Sequence, residues 1–178
     1  MKFDWTQDFK VIFAMPATGK SFMGQKYDNV LDLSTSRFHY SDYNESDTEK
    51  EKGSYNVINP DWPKNYIDAL DDALQKYSLI LTPGSKGMDG NALVHLTNSG
   101  IKFGIAVREN GKEVFAAIAA SRGNDGDFIN WALSDYDAYI DYMNRFDAVR
   151  IKLTPGEYLE QALTRYEAAN KKSGGKKK

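Results

Sequence analysis

Apolar residues recur along this chain in two rhythms. Short unbroken apolar runs predict strands at about 10–14, 29–33, 79–81, 103–107 and 149–153. Runs such as Leu79-Ile80-Leu81 suit strands buried on both faces of a parallel sheet. Between them the apolar positions return every three to four residues. Phe22, Met23, Lys26 and Tyr27 predict a short first helix, and Ile67, Leu70, Ala73, Leu74 and Tyr77 a longer one. The start of the longer helix is signalled by Asn59-Pro60-Asp61-Trp62-Pro63, with Asp61 as the cap and Pro63 in the first turn. Further helices are predicted over about 87–99 with Leu93, Val94 and Leu96 inward, then Glu113 to Ala120, Asp127 to Arg145 and Pro155 to Ala169.

Strands alternating with helices imply an α/β fold with parallel strands joined by right-handed crossovers. Ligands of such sheets bind beyond the carboxyl ends of the strands. That rule brings four segments to one crevice: residues 14–21, Asp32 to Ser36, Thr82 to Lys86, and the surroundings of Arg122. The polar stretch Ser34 to Asn59 has no helical period and is too long for a plain connector. It reads as a mobile, acceptor-side segment spanning about 34–60, with the acidic Asp42 to Glu51 as a solvated loop. Residues 1–170 form one domain, with a lid around 108–126 and a flexible basic tail over 171–178.

Composition narrows the chemistry. The 178 residues are 41% hydrophobic and 27% charged, ordinary for a globular domain. A net charge of −2 advertises neither nucleic acid nor an anionic membrane as partner. Cysteine is absent, which removes disulfides, thiolate nucleophiles and cysteine zinc sites together. The two histidines, His39 and His95, lack the spacing of a metal site. With no secretory signal and no apolar run of spanning length, a cytosolic location is expected.

The strongest chemical signal follows the first strand: Ala14-Met15-Pro16-Ala17-Thr18-Gly19-Lys20-Ser21. Strand, small-residue loop and Gly-Lys-Ser opening a helix is the layout of a phosphate-binding loop. Its backbone N–H groups and the helix N-terminus cradle phosphate oxygens. Lys20 reaches the β- and γ-phosphates of ATP, and the Ser21 hydroxyl is a ligand of Mg²⁺. Ala14 stands where the full pattern has Gly, and Ala17 and Thr18 where Gly is common. Small residues can still make the bend if they avoid positive φ.

Other groups suit the same chemistry. Asp32 closes the second strand, placed to accept the proton of an acceptor hydroxyl or to hold Mg²⁺ through water. Ser34 and Ser36 line the same mouth, and Arg37 is placed to clamp an acceptor phosphate. The third strand is followed by no carboxylate, leaving Thr82 or Ser85 to hold a metal-bound water. Arg122 in Ser121-Arg122-Gly123-Asn124-Asp125 can swing onto a transferring phosphoryl group, with Arg108 and Arg145 as further lid candidates. Phe38 and Trp62 are candidates to stack on a base, whereas Trp131, Tyr136, Tyr139 and Tyr142 read as a packing stripe.

Four stretches together resemble a family of small bacteriophage-type P-loop proteins of the nucleotide kinase-like, or adenylate kinase-like, kind. They are Phe-x-Met-Pro-Ala-Thr-Gly-Lys-Ser from Phe13, Val-Leu-Asp-Leu-Ser-Thr-Ser-Arg-Phe from Val30, Asn-Pro-Asp-Trp-Pro-Lys-Asn-Tyr from Asn59, and Ser-Arg-Gly-Asn-Asp-Gly-Asp-Phe-Ile from Ser121. The likeness covers about residues 10–145. It implies a three-layer sandwich with a mostly parallel five-stranded sheet in order 2-3-1-4-5 and helices on both faces. It also implies Lys20 and Ser21 at the triphosphate, Asp32 near the acceptor and Arg122 in the lid. The expected activity is Mg²⁺-dependent transfer of the ATP γ-phosphoryl to a nucleotide or nucleoside. Nucleotide binding without turnover, or a polynucleotide 5′-hydroxyl kinase, are the alternatives. Ala17 in place of Gly, and a Val114 to Ala120 stretch poor in charge, depart from the family pattern.

Overall fold

The computed structural model describes residues 1–47, 55–84, 87, 89–108, 110–124 and 126–174. Its centre is a five-stranded sheet in which every pairing is parallel. The strands are β1 (Val11–Ala14), β2 (Val30–Asp32), β3 (Leu79–Pro83), β4 (Phe103–Arg108) and β5 (Val149–Leu153). Their order is β2-β3-β1-β4-β5, as the family resemblance implies. β1 lies in the middle, with Val11 in register with Ile80 on one side and Phe103 on the other.

The two-residue period of a strand distributes β1 between two cores. Val11 and Phe13 point toward α3 (Lys64–Lys76), α4 (Ala92–Asn98), α5 (Gly111–Ser121) and α7 (Tyr136–Met143), packing with Leu70, Leu93, Leu96, Phe115 and Met143. Ile12 and Ala14 point toward α1 (Lys20–Lys26) and α8 (Leu159–Gly174), packing with Met23, Leu159 and Leu163. All four β1 side chains are fully buried, so each large one contributes about 1.5–3 kcal/mol of hydrophobic stabilisation. Edge strand β5 alternates instead: Ile151 and Leu153 are buried toward α8, and Arg150 and Lys152 face the opposite side.

The aromatic N-terminus belongs to the second core. Phe3, Trp5 and Phe9 pack with Tyr27 and Tyr166, and Trp5 Nε1 donates to the Phe9 carbonyl at 2.7 Å. Glu167 of α8 accepts from Thr6 Oγ1 at 2.6 Å and also from Gln7 Nε2.

Several element boundaries depart from the periodicity. The helix expected from residue 87 begins at Ala92, because Gly90 and Asn91 have φ of 55° and 61°. Its Val94 faces solvent, not the core. The helix expected over 127–145 is two, α6 (Gly126–Ser134) and α7, parted at Asp135. The last helix starts at Leu159 and not Pro155, since Gly156 has φ of 79°. Asp61 does not cap α3. Asn59 Oδ1 accepts its N–H at 3.0 Å in a turn of its own, and Pro63 occupies the cap position with no side-chain cap bond. Within 34–60, Ser36–His39 forms one helical turn (α2), too short to leave a period, and Tyr40 bridges Ile58 antiparallel. The remainder of the acidic loop over 48–54, Ser85, Lys86, Asp125 and the tail over 175–178 lie outside the described residues, as does the side chain of Trp131.

Candidate functional site

A cavity of about 320 Å³ opens where β1, β2 and β3 end. The β1–α1 loop supplies one wall through Met15, Pro16, Ala17, Gly19, Lys20 and Ser21. The end of β2 and the turn after it supply another through Asp32, Ser34, Thr35 and Ser36. Phe115 and Arg122 of the α5 region, with Tyr136 and Tyr139 of α7, complete it. The crevice expected from parallel topology therefore brings Lys20, Ser21, Asp32, Ser34, Ser36 and Arg122 together.

The loop is held in one shape by its own bonds. Thr18 is buried, and its hydroxyl donates to the Met15 carbonyl at 2.9 Å. Gly19 has φ of 99°, which glycine adopts without a Cβ penalty, and its carbonyl accepts from Met23 N at 3.2 Å to start α1. Ala17 has φ of 63°, so the condition that the small residues avoid positive φ is not met. Its left-handed backbone costs about 1–2 kcal/mol for a residue with a Cβ. The start of α8 braces the loop: Leu159 N donates to the Thr18 carbonyl at 2.9 Å. A Cβ on Gly19 would stand 3.4 Å from Tyr158 Cδ1.

Lys20 folds back over this loop, donating from Nζ to the Ala14 and Met15 carbonyls, each at 3.0 Å. Burial pushes its ammonium down to about 8; the Asp32 charge works against that shift and the Arg122 charge adds to it. The Ser21 hydroxyl donates to Asp32 Oδ2 at 2.7 Å, while Asp32 Oδ1 is buried without a partner. The carboxylate missing after β3 is thus replaced in space by one from β2, the next strand out. Gly24 permits this approach, for a Cβ there would stand 3.0 Å from both Asp32 Cβ and Asp32 N. Arg122 caps the carboxyl end of α5, and Gly123 at φ 81° ends the helix after it.

Other sequence candidates lie elsewhere. Ala14 offers the cavity no side chain: its methyl is in the core and only its carbonyl serves Lys20. Arg37 turns away on the single turn of α2, its guanidinium 4.8 Å over the Phe38 ring, and it lines no part of the cavity. Neither Phe38 nor Trp62 is a platform here. Phe38 packs edge-on against Tyr66, and Trp62 stacks on His39 at 4.5 Å. Thr82 is buried and its hydroxyl pairs with Tyr66 Oη, so it does not face a metal. His95 bonds Asp71 at 2.9 Å. Arg108 and Arg145 do not line this cavity. Sequence reasoning missed Phe115 and the exposed Phe22 as lining residues, and gave Tyr136 and Tyr139 only a packing role. An apolar residue beside Gly-Lys-Ser, in a first helical turn that β2 does not cover, was the available signal for Phe22.

No model of a known protein family and no curated protein matches this chain. The fold and the cavity are those of an α/β protein with a lysine-bearing strand–loop–helix turn at the centre of its sheet. No helix among the described residues is long and apolar enough to cross a membrane.

Proposed function

We propose that this protein is a Mg²⁺-dependent phosphotransferase that moves the γ-phosphoryl of ATP to a small acceptor, a nucleotide or nucleoside. One observation carries the reading. A half-buried lysine with no carboxylate in bonding distance among the described residues, a serine–aspartate pair and an arginine converge on a single cavity at the carboxyl ends of the strands. The P-loop kinase-like resemblance of the sequence points the same way.

The residues divide the work by charge and position. Lys20 exchanges its two loop carbonyls for phosphate oxygens and regains the counter-charge that burial denies it. The loop N–H groups and the start of α1 favour the same anion. The oxygen pair of Ser21 and Asp32, with one carboxylate oxygen unpartnered, suits a hard cation, so these two residues would hold Mg²⁺. When bound, the ion neutralises charge on the phosphate oxygens. Asp32 borders the Ser34–Ser36 wall, where an acceptor hydroxyl would lie and from which the carboxylate would take its proton. Arg122 lines the same cavity and steadies charge on the transferring group.

Labelled ATP with a panel of nucleosides, nucleoside monophosphates and 5′-hydroxyl oligonucleotides tests the proposal. A labelled acceptor is the expected product; ATP binding with none across the panel overturns it. The second reading, a module that binds a nucleotide without turnover, is favoured by the sparse charge of the α5–α6 arm. Among the described residues, Arg122 is its sole cation lining the cavity.

A further inference from the structure

Arg108 closes β4, and the two-residue period of that strand decides which way it points. Phe103 and Ile105 belong to the core under α3, α4, α5 and α7, while Ala106 belongs with Ile12 and Ala14 to the core under α1 and α8. Arg108 therefore lies on the α1 and α8 side, in register with buried Leu153. Ala106 pairs with Ala14, so Arg108, two residues further on, stands beside the chain as it leaves β1 for the β1–α1 loop.

Its surroundings supply no counter-charge. Arg108 is 6% exposed, its Nη2 is buried without a hydrogen-bond partner, and no carboxylate among the described residues pairs with it. The guanidinium lies 5.7 Å from the centre of the Tyr158 ring. The same ring backs the loop, with Cδ1 3.4 Å from where a Cβ of Gly19 would stand. One aromatic ring thus separates a buried cation from the Gly19-Lys20-Ser21 turn. The field of that cation reaches the cavity wall: burial pushes the Tyr136 hydroxyl up, and the Arg108 charge opposes that rise. A buried guanidinium without a counter-ion is unfavourable until an anion comes within reach of its field. At an effective dielectric of about 20, a unit charge about 10 Å away still changes affinity about tenfold.

We propose that Arg108 is the fixed counter-charge of the phosphate chain bound at the β1–α1 loop, acting through space from behind the Tyr158 ring and selecting triphosphates over less charged ligands. The inference rests on the phosphate-binding reading of Lys20 and Ser21, and not on transfer. Arg108 is no lid residue in this arrangement. It is anchored on β4, lines no part of the cavity and touches no substrate, so it sets specificity and takes no part in the chemical step. The unliganded chain carries its charge uncompensated, and the ligand relieves it.

Calorimetric titration of the full chain tests this, with ATP, AMP, inorganic tripolyphosphate and neutral adenosine as probes. Arg108→Met keeps an apolar stem and removes the charge. It should weaken ATP and tripolyphosphate at least tenfold, AMP less, and adenosine by less than twofold, while its unliganded melting temperature stays at or above that of wild type. Arg108→Lys, which restores the charge, should stay within about threefold of wild type for every probe. Should Arg108→Met not fold, the guanidinium Nε–H signals of wild type decide. The Arg108 resonance, assigned by its loss in Arg108→Lys, should shift with tripolyphosphate and not with adenosine. Undiminished ATP and tripolyphosphate affinity in Arg108→Met, a loss shared equally by adenosine, a loss as large in Arg108→Lys, or an Arg108 signal indifferent to tripolyphosphate overturns the proposal. Charge-graded, Arg108-dependent binding without a labelled acceptor in the transfer assay would strike at the transferase reading alone. Wild-type protein that binds neither ATP nor tripolyphosphate would overturn both.

Discussion

The Ser21 hydroxyl donates to Asp32 Oδ2 across 2.7 Å, tying the first turn of α1 to the end of β2. Two groups that are eleven residues apart in the chain are therefore one oxygen-rich unit before any ligand arrives. Asp32→Asn keeps the size and a hydrogen-bonding oxygen but removes the charge. Under the proposed mechanism, the melting temperature of the unliganded protein should stay nearly unchanged while turnover falls roughly 10²–10⁴-fold, the usual worth of a positioned acid–base group. Rates beside thermal melts check this, and unchanged turnover would remove Asp32 from the chemistry.

Lys20 gives a pH signature of known sign. Its ammonium sits at about 8 in the folded chain against an ordinary 10.5, so between those values the unfolded chain binds more protons. Stability of the unliganded protein should rise with pH across that window and show no dependence from this group below it. Lys20→Met should melt above wild type near neutral pH, with the gap closing as pH approaches 10.5. Triphosphate affinity should run the other way in wild type, falling above pH about 8 as the charge is lost. Melts and calorimetry across the range read both trends.

Ala17 carries a φ of 63°, a conformation glycine occupies freely. Ala17→Gly relieves about 1–2 kcal/mol of backbone strain and gives back about 0.5–1 kcal/mol in unfolded-chain entropy. A net gain of about 0.5–1 kcal/mol is expected, a rise of roughly 1–4 °C for a domain of this size. Ala17→Val, with its branched Cβ in the same conformation, should lose stability instead. Urea titrations of the two variants separate the signs.

Gly111 lies where Tyr136 needs room: a Cβ there would stand 1.6 Å from Tyr136 Oη. Gly111→Ala must push the ring aside at a cost of about 1–3 kcal/mol. Because Tyr136 also lines the cavity beside the β1–α1 loop, nucleotide binding there should change in the same variant. Adding Tyr136→Phe removes the nearest atom, and part of the lost stability should return. A Gly111→Ala protein with wild-type melting and binding would show that the ring does not need that space.

Glu157 accepts from Thr154 N at 2.9 Å and from Arg165 Nη2 at 2.9 Å, shaping the turn that presents Tyr158 to the loop. The Arg165 bond, with help from Thr154 and against the pull of burial, holds its carboxyl down at about 2 from an ordinary 4.5. Its stabilisation is therefore complete above pH about 4.5 and is lost as pH falls toward about 2. Glu157→Gln should lower the melting temperature near neutral pH and bring the two proteins together at the acid end.

What could be read beforehand followed from physics local to a segment. β1 and β3 were legible because strands buried on both faces read as unbroken apolar runs, Val11 to Ala14 and Leu79 to Leu81. Lys20, Ser21, Asp32 and Arg122 could be placed together because parallel topology sends the relevant loops to one edge, whatever their conformations. Arg37, Phe38 and Trp62 were misplaced because their directions depend on the single turn of α2, which no window of sequence detects. The strain at Ala17 was hidden for a related reason: the loop is bent by Lys20 and Thr18 reaching its carbonyls, and the residue at the bend must comply. Tyr158 was invisible as a neighbour of Gly19 because only the docking of α8 brings it there.

That docking sets a timetable for biosynthesis. A ribosome releases residues 10–21 well before the segment that braces them, Thr154 to Glu167. Leu159 N reaches the Thr18 carbonyl, and Glu167 reaches Thr6, only after all five strands have emerged. A nascent chain stalled before β5 would carry every residue of the Gly-Lys-Ser turn and still lack the brace that shapes it. The cavity should consequently gain its ligand in one late step, and translation-arrested fragments should bind nucleotide only when they extend through α8.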